Sequence, residues 1–598
     1  MRNPRLNRWQ EPSRLEGLLL FAQRIEEMLF DYTLDTYKTP ALNTHTRAIE
    51  LRNSVREVQS GGLNESSLKS MVEELAHSIN CDSVARHLIE PYTEHFKESK
   101  NWSLHSAADL AIDADLVLSR LARCYRQEIT AQLRRCIEEN KQKQLIFQLT
   151  TNWVVELLNQ GFSRDYIFFK ARSFFFGLGG PSIQSITAYD DFVDFFNTTP
   201  QEWELVFRAS KSYSILADDE PEDSETIQLS VSEDPPVVQT QNKRVRDFLQ
   251  RDADKLFLVI KCTALDARSA RERAIGTLQI MTSFVQLHVH RTPFELSDDC
   301  IVLGGALPVH LKRSPAAILK HAECSSGDLP SRLARTAMVL GKSGLPKESV
   351  RRLGSALEMH SAALSSPSIG NQLVSLWAAI EALLPMAGAE TKIARIADFM
   401  VPILSRSYPA KLLKSLDQSL ARCIPKDYEE AKMQISNQWS SLEQLAAIIT
   451  IKENEPIRDK LYAAIDSNVL LRFRIWKLMR IFSDSSSIMA EIKAHEQRVG
   501  WHLRRIYRSR NLLVHSGKVL RYQDHLVESL HSYVDRSIYL VEEIMMRKPS
   551  PQNLDSALMA IRLDHEAHLR SLAANKNIAC NVENFREFVF GLSEQFSA

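Results

Sequence analysis

Residues 501–517 read WHLRRIYRSRNLLVHSG, and this stretch decides how the carboxy-terminal part of the chain folds. Apolar residues recur through it in steps of three and four, the spacing of one face of an α-helix. This apolar stripe consists of Val499, Leu503, Ile506, Leu513 and Val514. Gly517 is placed to end the helix, because glycine readily adopts the left-handed conformation found after many helix ends. The stretch therefore predicts an amphipathic helix that ends near residue 517.

Arg510 occupies the position that continues the apolar stripe. At about 100° per residue, it is predicted to lie at the centre of the apolar face. An arginine is stable there only if a carboxylate, a phosphate or another subunit satisfies its five donors. We therefore expect an anionic group to meet Arg510. The structural alternative is an ion pair that holds two helices together.

A polar and basic flank is predicted beside the stripe, about 100–160° around the helix from Arg510. Its members are Arg504, Arg508, Asn511 and His515. His515 falls in the last turn, where the helix dipole favours imidazolium while the neighbouring arginines oppose it. These effects tend to cancel, so His515 is a candidate acid–base residue near neutral pH.

The spacing from an arginine to a following histidine is weak information by itself. With 17 histidines in the chain, chance matches are expected, and the pair Arg562 and His568 is one of them. That pair lacks the asparagine that follows Arg510 and the basic, aromatic context before it.

Along the whole chain, hydrophobic periodicity predicts a mainly α fold that is divided into four regions. Residues 1–200 form a helical amino-terminal region, and residues 201–345 form a small α/β domain. A mobile acidic loop is expected at 217–236 within it. Residues 346–571 form a carboxy-terminal helical domain, and 572–598 form a tail. Strands are predicted at 203–216, 255–263, 284–290 and 300–303.

Composition excludes several classes of protein. The 74 basic and 74 acidic residues balance, so any binding site for a polyanion must be local rather than global. The eight cysteines include no close pair, which indicates reduced thiols in a cytoplasmic protein and no structural zinc site. No apolar run approaches the roughly 18 residues that a membrane span needs, so no membrane association is expected.

His525, Glu528 and His531 resemble a metal-binding triad. Steps of three residues, however, carry the first and last about 240° apart on a helix, so they cannot converge on one ion. We interpret them as surface helix residues. No metal and no cofactor are therefore expected.

Three stretches together carry a resemblance to a known family. They are 373–384 (LVSLWAAIEALL), 392–397 (KIARIA) and 503–517 (LRRIYRSRNLLVHSG). In this combination residues 346–571 resemble an Apea-like HEPN domain. HEPN domains are helical bundles, usually dimeric, and many are ribonucleases marked by an arginine, a polar residue and a following histidine. Arg510, Asn511 and His515 match that motif, while Trp377 and Glu381 match the family's tryptophan and acidic position on an earlier helix.

The resemblance implies metal-independent cleavage of RNA by attack of the ribose 2′-hydroxyl on the adjacent phosphate. His515 would transfer protons, Arg510 would hold the phosphoryl oxygens, and Asn511 would position the phosphate or His515. Arg508 would attract the RNA backbone. Glu381 would pair with Arg510 or orient it, or else serve a structural helix-to-helix ion pair.

The expected function is thus a toxic endoribonuclease effector of bacterial antiviral or abortive-infection defence, acting on RNA and possibly on tRNA. It would work as a homodimer or larger homo-oligomer, with the amino-terminal half as sensor or restraint, and a phage-derived trigger or a defence partner protein is a further expected partner. The alternative is a non-catalytic HEPN scaffold that binds RNA or protein. A weaker alternative makes the chain one subunit of an assembly whose chemistry lies elsewhere.

Overall fold

The structure is a computed structural model that describes residues 5–216, 229–250, 252, 254–290, 293–305, 307–312, 329–341, 345–385, 391–547 and 551–591. The chain divides into two compact units: Met1–Val155 together with Ala317–Ala598, and Glu156–Ala316. The predicted fold class, mainly α with a small α/β region, is confirmed. The predicted domain boundaries differ, because the amino-terminal and carboxy-terminal helices belong to one unit rather than two.

The amino-terminal helices begin where short polar side chains cap them. Asn43 and Thr46 form a reciprocal capping box, and the Asp82 carboxylate accepts bonds from two backbone N–H groups. The helices are α1 (Glu16–Leu29), α2 (Thr44–Gln59), α3 (Ser66–Cys81), α4 (Ser83–Leu88), α5 (Thr93–Phe96), α6 (Ala107–Leu121), α7 (Tyr125–Glu139) and α8 (Lys143–Gln160). The division between the two units falls inside α8.

The second unit is an antiparallel sheet with helices. Its strands are β1 (Gln201–Ser210), β2 (Leu229–Ser232), β3 (Lys255–Ala264), β4 (Leu296–Leu303) and β5 (Val309–Lys312), in the spatial order β2-β3-β1-β4-β5. Its helices are α9 (Arg164–Ala171), α10 (Thr187–Asp194), α11 (Lys243–Phe248) and α12 (Ala267–Gln286). One face of the sheet packs on α12 through a core that includes Leu205, Phe207 and Leu278.

Three of the four predicted strands coincide with observed ones. The fourth, at 284–290, is wrong, because these residues finish α12 and continue into a turn. Phe284 and Leu287 are exposed there, so their β-favouring side chains meet no sheet. The acidic stretch 218–225 lies outside the described residues. The prediction of a loop over 217–236 is wrong for residues 229–232, because these residues form β2 and pair with β3.

The carboxy-terminal helices complete the first unit. They are α13 (Leu329–Leu340), α14 (Lys347–Ser365), α15 (Ile369–Leu383), α16 (Lys392–Ser405), α17 (Tyr408–Cys423), α18 (Pro425–Met433), α19 (Ser441–Thr450), α20 (Glu455–Ala464), α21 (Val469–Ile481), α22 (Ser485–Ser516), α23 (Gln523–Met545), α24 (Leu554–Ala574) and α25 (Phe585–Phe590). The predicted tail at 572–598 is wrong in part, because Phe585 and Phe588 of α25 are buried in the core of the bundle. Within the described part of the chain, none of the helices combines the length and the apolar character needed to span a bilayer.

Helix α22 is 32 residues long and contains most of the 501–517 stretch. It begins at Asp484, whose carboxylate accepts the backbone N–H of Ser487 at 2.9 Å. It ends at Gly517, whose φ of 64° is the left-handed conformation expected for a helix-ending glycine. The predicted end of the helix is therefore confirmed.

A buried ion cluster fixes α22 to α2 and α3. Arg505 is 4% exposed, and its guanidinium donates to Glu50 Oε2 at 2.9 Å and to Glu74 Oε2 at 2.6 Å. Arg47 adds a bond from Nε to Glu74 Oε1 at 2.9 Å. Arg508 also lies 3.4 Å from Glu50 Oε1, so three guanidinium groups surround the two carboxylates and compensate their charge.

The electrostatic consequence is a shift in the pKa of both carboxyls. Burial alone would raise the pKa of Glu74, but the charges of Arg505 and Arg47 outweigh it and hold that pKa at about 2. The pKa of Glu50 is also lowered, since Arg505 and Arg508 outweigh its burial. A lowered pKa in the folded state stabilises the fold above the ordinary carboxyl range near pH 4.5, and this stabilisation is lost as the pH falls toward 2.

Replacing Arg505 by alanine is expected to lower the free energy of unfolding by about 3–5 kcal/mol, because it removes the guanidinium that bonds to both buried carboxylates and leaves each with one arginine partner. Urea-induced unfolding followed by circular dichroism measures the change. Arg504→Ala is the matched control, since the neighbouring guanidinium bonds only to the Gly500 carbonyl oxygen, at 3.2 Å, among the described residues. That control should cost less than about 1 kcal/mol. Equal losses in the two variants would contradict the assignment.

Candidate functional site

The three residues of the motif lie in the last two turns of α22, after the ion cluster. Arg510 is half-buried, and its Nη1 donates to Asn511 Oδ1 at 3.2 Å. Its Nε is buried without a hydrogen-bond partner. Among the described residues, no carboxylate lies within ion-pairing distance of Arg510, so the anionic partner predicted from the sequence is not supplied by the described chain.

The position of Arg510 on the helix differs from the prediction. The arginines enclosed by the neighbouring helices are Arg505 and Arg508, whereas Arg510 lies at the edge of the buried face. The physical reason is that the buried face of α22 extends onto its polar flank, where the glutamates of α2 and α3 make burial of arginine possible.

Arg508 therefore has a different role from the one expected. It is 5% exposed, donates to Ser70 Oγ at 3.3 Å and lies 3.4 Å from Glu50 Oε1. The charge of Arg508 is compensated by Glu50 inside the protein, so the expectation that Arg508 attracts an RNA backbone is wrong for this structure. The adjacent Tyr522 hydroxyl donates to the same Glu50 oxygen at 3.1 Å.

His515 is exposed in the last turn of α22, and no described side chain bonds to its ring. Gly517 closes the helix directly after it, with its N–H bonded to the Leu513 carbonyl oxygen at 3.0 Å. Lys518 then pairs with Glu57 of α2 at 2.5 Å. The imidazole is thus accessible to a ligand, while the backbone on both sides of it is held in place.

Arg510 and His515 occupy different sides of the helix. Five residues separate them, which corresponds to about 140° of rotation and about 7.5 Å along the axis. Val514, beside His515, is 47% exposed, and Val519 just beyond the helix is 63% exposed. The end of α22 therefore presents a cation, an amide, an imidazole and exposed apolar side chains together.

Trp377 and Glu381 lie on α15 and bond to each other. Trp377 Nε1 donates to Glu381 Oε1 at 2.5 Å, and Lys392 Nζ lies 2.8 Å from Glu381 Oε2. The expectation that Glu381 pairs with Arg510 is therefore wrong, and its structural alternative, a helix-to-helix ion pair, fits the observed contacts. Trp377 is fully buried and its ring packs against that of Tyr507 on α22 at 5.6 Å. This ring contact joins α15 to α22.

The residues that sequence reasoning missed are Glu50 and Glu74. They hold α22 from positions 455 and 431 residues away from Arg505, so no local spacing could have linked them. The one local signal was the group of four arginines at 504, 505, 508 and 510, which calls for anionic partners without identifying them.

The set of His525, Glu528 and His531 does not converge, as predicted, but its interpretation as surface residues is wrong. Glu528 is buried and pairs with Lys38. His531 is 2% exposed and lies beside Asp535. Both side chains face neighbouring helices rather than solvent.

Comparisons with known proteins identified no relative of this chain. Neither a family model, nor a curated protein, nor a solved structure matches the chain.

The unpaired state of Arg510 predicts that Arg510→Met leaves the free energy of unfolding unchanged or raises it by up to about 1 kcal/mol. The substitution removes a buried, unsatisfied Nε and keeps an unbranched chain about as long as arginine up to that atom. Urea-induced unfolding measures the effect, with Arg505→Met as the comparison. A loss above about 2 kcal/mol would instead identify Arg510 as a structural ion-pair residue.

Proposed function

We propose that the chain is a HEPN-type, metal-independent endoribonuclease. One observation carries the proposal: the end of α22 presents a half-buried arginine that bonds to an adjacent asparagine and has no carboxylate partner among the described residues, with an exposed histidine about 140° further round the same helix. A half-buried guanidinium that no described carboxylate balances suits an anion that arrives from outside, and a phosphodiester is such an anion.

The proposed reaction uses these groups in defined roles. His515 accepts the proton of a ribose 2′-hydroxyl, whose oxygen attacks the adjacent phosphorus. The bond from phosphorus to the 5′-oxygen breaks, and a protonated imidazole returns the proton to that leaving oxygen. Arg510 holds the phosphoryl oxygens as negative charge builds up, and Asn511 orients the guanidinium. The products are a 2′,3′-cyclic phosphate and a 5′-hydroxyl.

From the resemblance to HEPN ribonucleases, we propose that the protein is a toxic effector of bacterial antiviral defence. It would cut RNA, and tRNA is one candidate substrate. An active ribonuclease endangers its own cell, which favours restraint by another part of the chain or by a partner protein. The amino-terminal helices are suited to that role, because Glu57 of α2 pairs with Lys518 three residues after His515.

A non-catalytic scaffold that binds RNA or protein is the second candidate. It is favoured by the structural use of Arg505 and Arg508, which shows that basic residues of α22 also serve packing. The two candidates differ in whether RNA is cut or only bound.

Arg510→Ala and His515→Ala are each expected to lower the rate of RNA cleavage at least about 100-fold, because each removes a group that acts in the transition state. Labelled single-stranded RNA and total tRNA serve as substrates, and mass spectrometry identifies the cyclic phosphate end. Substrate with 2′-deoxyribose at the cleavage position should resist cleavage, since the attacking hydroxyl is missing.

The matched controls come from elsewhere in the first unit. Arg562 is partly exposed and paired with Glu566 at 2.9 Å, and His87 is an exposed histidine in the last turn of α4. Arg562→Ala and His87→Ala should keep full activity. His568 is unsuitable as a control, because it is buried and bonds to the Phe588 carbonyl oxygen at 3.0 Å. Binding of RNA without cleavage would support the scaffold, and equal losses in controls and site variants would exclude this site.

We further propose that the active species is a dimer in which two α22 ends share one cleft. Arg510 and His515 lie about 140° apart on one helix, so a histidine from a second copy is better placed to face the phosphate that Arg510 holds. The exposed apolar side chains of Val514 and Val519 are suited to the contact between copies.

Light scattering of the active protein should give at least twice the chain mass of 68.2 kDa. Val514→Asp should lower both the mass and the activity, whereas the comparably exposed Val582→Asp should change neither. Mixing inactive Arg510→Ala with inactive His515→Ala protein should restore part of the activity, because a mixed dimer holds one intact pair. A monomer with full activity would contradict the shared cleft.

A further inference from the structure

Two histidines and an aspartate meet where α14 packs against α23 in the first unit. His360 Nε2 lies 2.8 Å from Asp535 Oδ1, and His531 Nδ1 lies 3.7 Å from Asp535 Oδ2. The two imidazole rings stack with their centres 4.9 Å apart and their planes at 18°. Each residue offers one ligand atom, and these atoms all lie within 4.8 Å of one another.

We propose that His360, His531 and Asp535 bind one divalent transition-metal ion of the zinc class. Bonds of about 2.0–2.2 Å from zinc to nitrogen and oxygen place neighbouring ligand atoms of a tetrahedral site a little over 3 Å apart. The two observed distances fall on either side of that value. Because the two rings are stacked, one of them must rotate for both ring nitrogens to point at the ion, and the three ligand atoms already lie within 4.8 Å of one another.

The sequence pattern agrees with such a site. His531 and Asp535 are four residues apart on α23, which puts them on one face a single turn apart. Two histidines and a carboxylate are a common ligand set for zinc, with a fourth position left for water. Magnesium and calcium prefer sites made of oxygen ligands, which excludes them as the main occupants.

A simple ion pair accounts for this cluster less well than a metal. One histidine paired with one carboxylate recurs elsewhere in the chain, as in His310 with Asp299 at 2.9 Å. The cluster adds a second imidazole, so that three ligand atoms lie within 4.8 Å of one another where an ion pair has only two.

The site is accessible and independent of the proposed nuclease. The side chains of His360 and Asp535 are 19% and 18% exposed, so an ion and a water molecule can enter, while His531 forms the buried side. Among the described residues, this is the one place where three such ligands converge. A bound ion would join α14 to α23, and it takes no part in the reaction proposed for the end of α22.

The test uses the full-length chain after dialysis against EDTA and then against metal-free buffer. Calorimetric titration with zinc chloride should show one saturable site per chain, and excess magnesium should not compete. His360→Ala and Asp535→Asn should each weaken zinc binding at least about tenfold. The matched controls His310→Ala and Asp299→Asn, which alter a pair without a second histidine, should bind zinc as the unaltered chain does.

Cobalt titration of the unaltered chain identifies the ligands without any substitution. Visible absorption of a four- or five-coordinate cobalt site without thiolate charge-transfer bands supports ligation by nitrogen and oxygen, whereas such bands assign the ion to cysteines and overturn the proposal. Absence of a saturable zinc site also overturns it. So does unchanged zinc affinity in His360→Ala and Asp535→Asn, once circular dichroism shows that both variants are folded.

Discussion

The buried guanidinium of Arg505 is the constraint on which the rest of the first unit depends. It joins α22 to Glu50 and Glu74, two carboxylates from helices near the start of the chain. None of these charges is stable in the interior without the others, so α22 cannot leave α2 and α3 without a large loss of free energy. This coupling explains why the amino-terminal and carboxy-terminal helices form one compact unit although the second unit interrupts them in sequence.

The same constraint divides the arginines of α22 by role. Arg505 and Arg508 are balanced by carboxylates inside the protein, whereas Arg510, two residues after Arg508, has only the amide of Asn511 among the described residues. A helix held firmly along its middle can present its last turns in a defined geometry without a local network of bonds.

Helix α23 provides a second link between the ends of the chain and carries the other candidate site. Its Glu528 pairs with Lys38, and three residues later His531 begins the cluster with Asp535 and His360. The amino-terminal region therefore contacts α22 through helices α2 and α3, and contacts α23 through Lys38 in the segment between α1 and α2. Any regulation of the proposed nuclease by those helices would act through such ion pairs, of which Glu57 with Lys518 is the nearest in sequence to His515.

The sequence by itself determined the class of fold, most of the strands and the helix that ends at Gly517, because periodicity and end signals are local properties of the chain. It also singled out Arg510, Asn511 and His515 as a group. It could not determine which arginines of α22 are enclosed, since that depends on glutamates more than 400 residues away in sequence. Nor could it show that Glu381 pairs with Lys392, or that His531 meets His360 from another helix. Only the tertiary structure decides these pairings, because the balance of buried charges is set by which helices pack together and not by the spacing within any one of them.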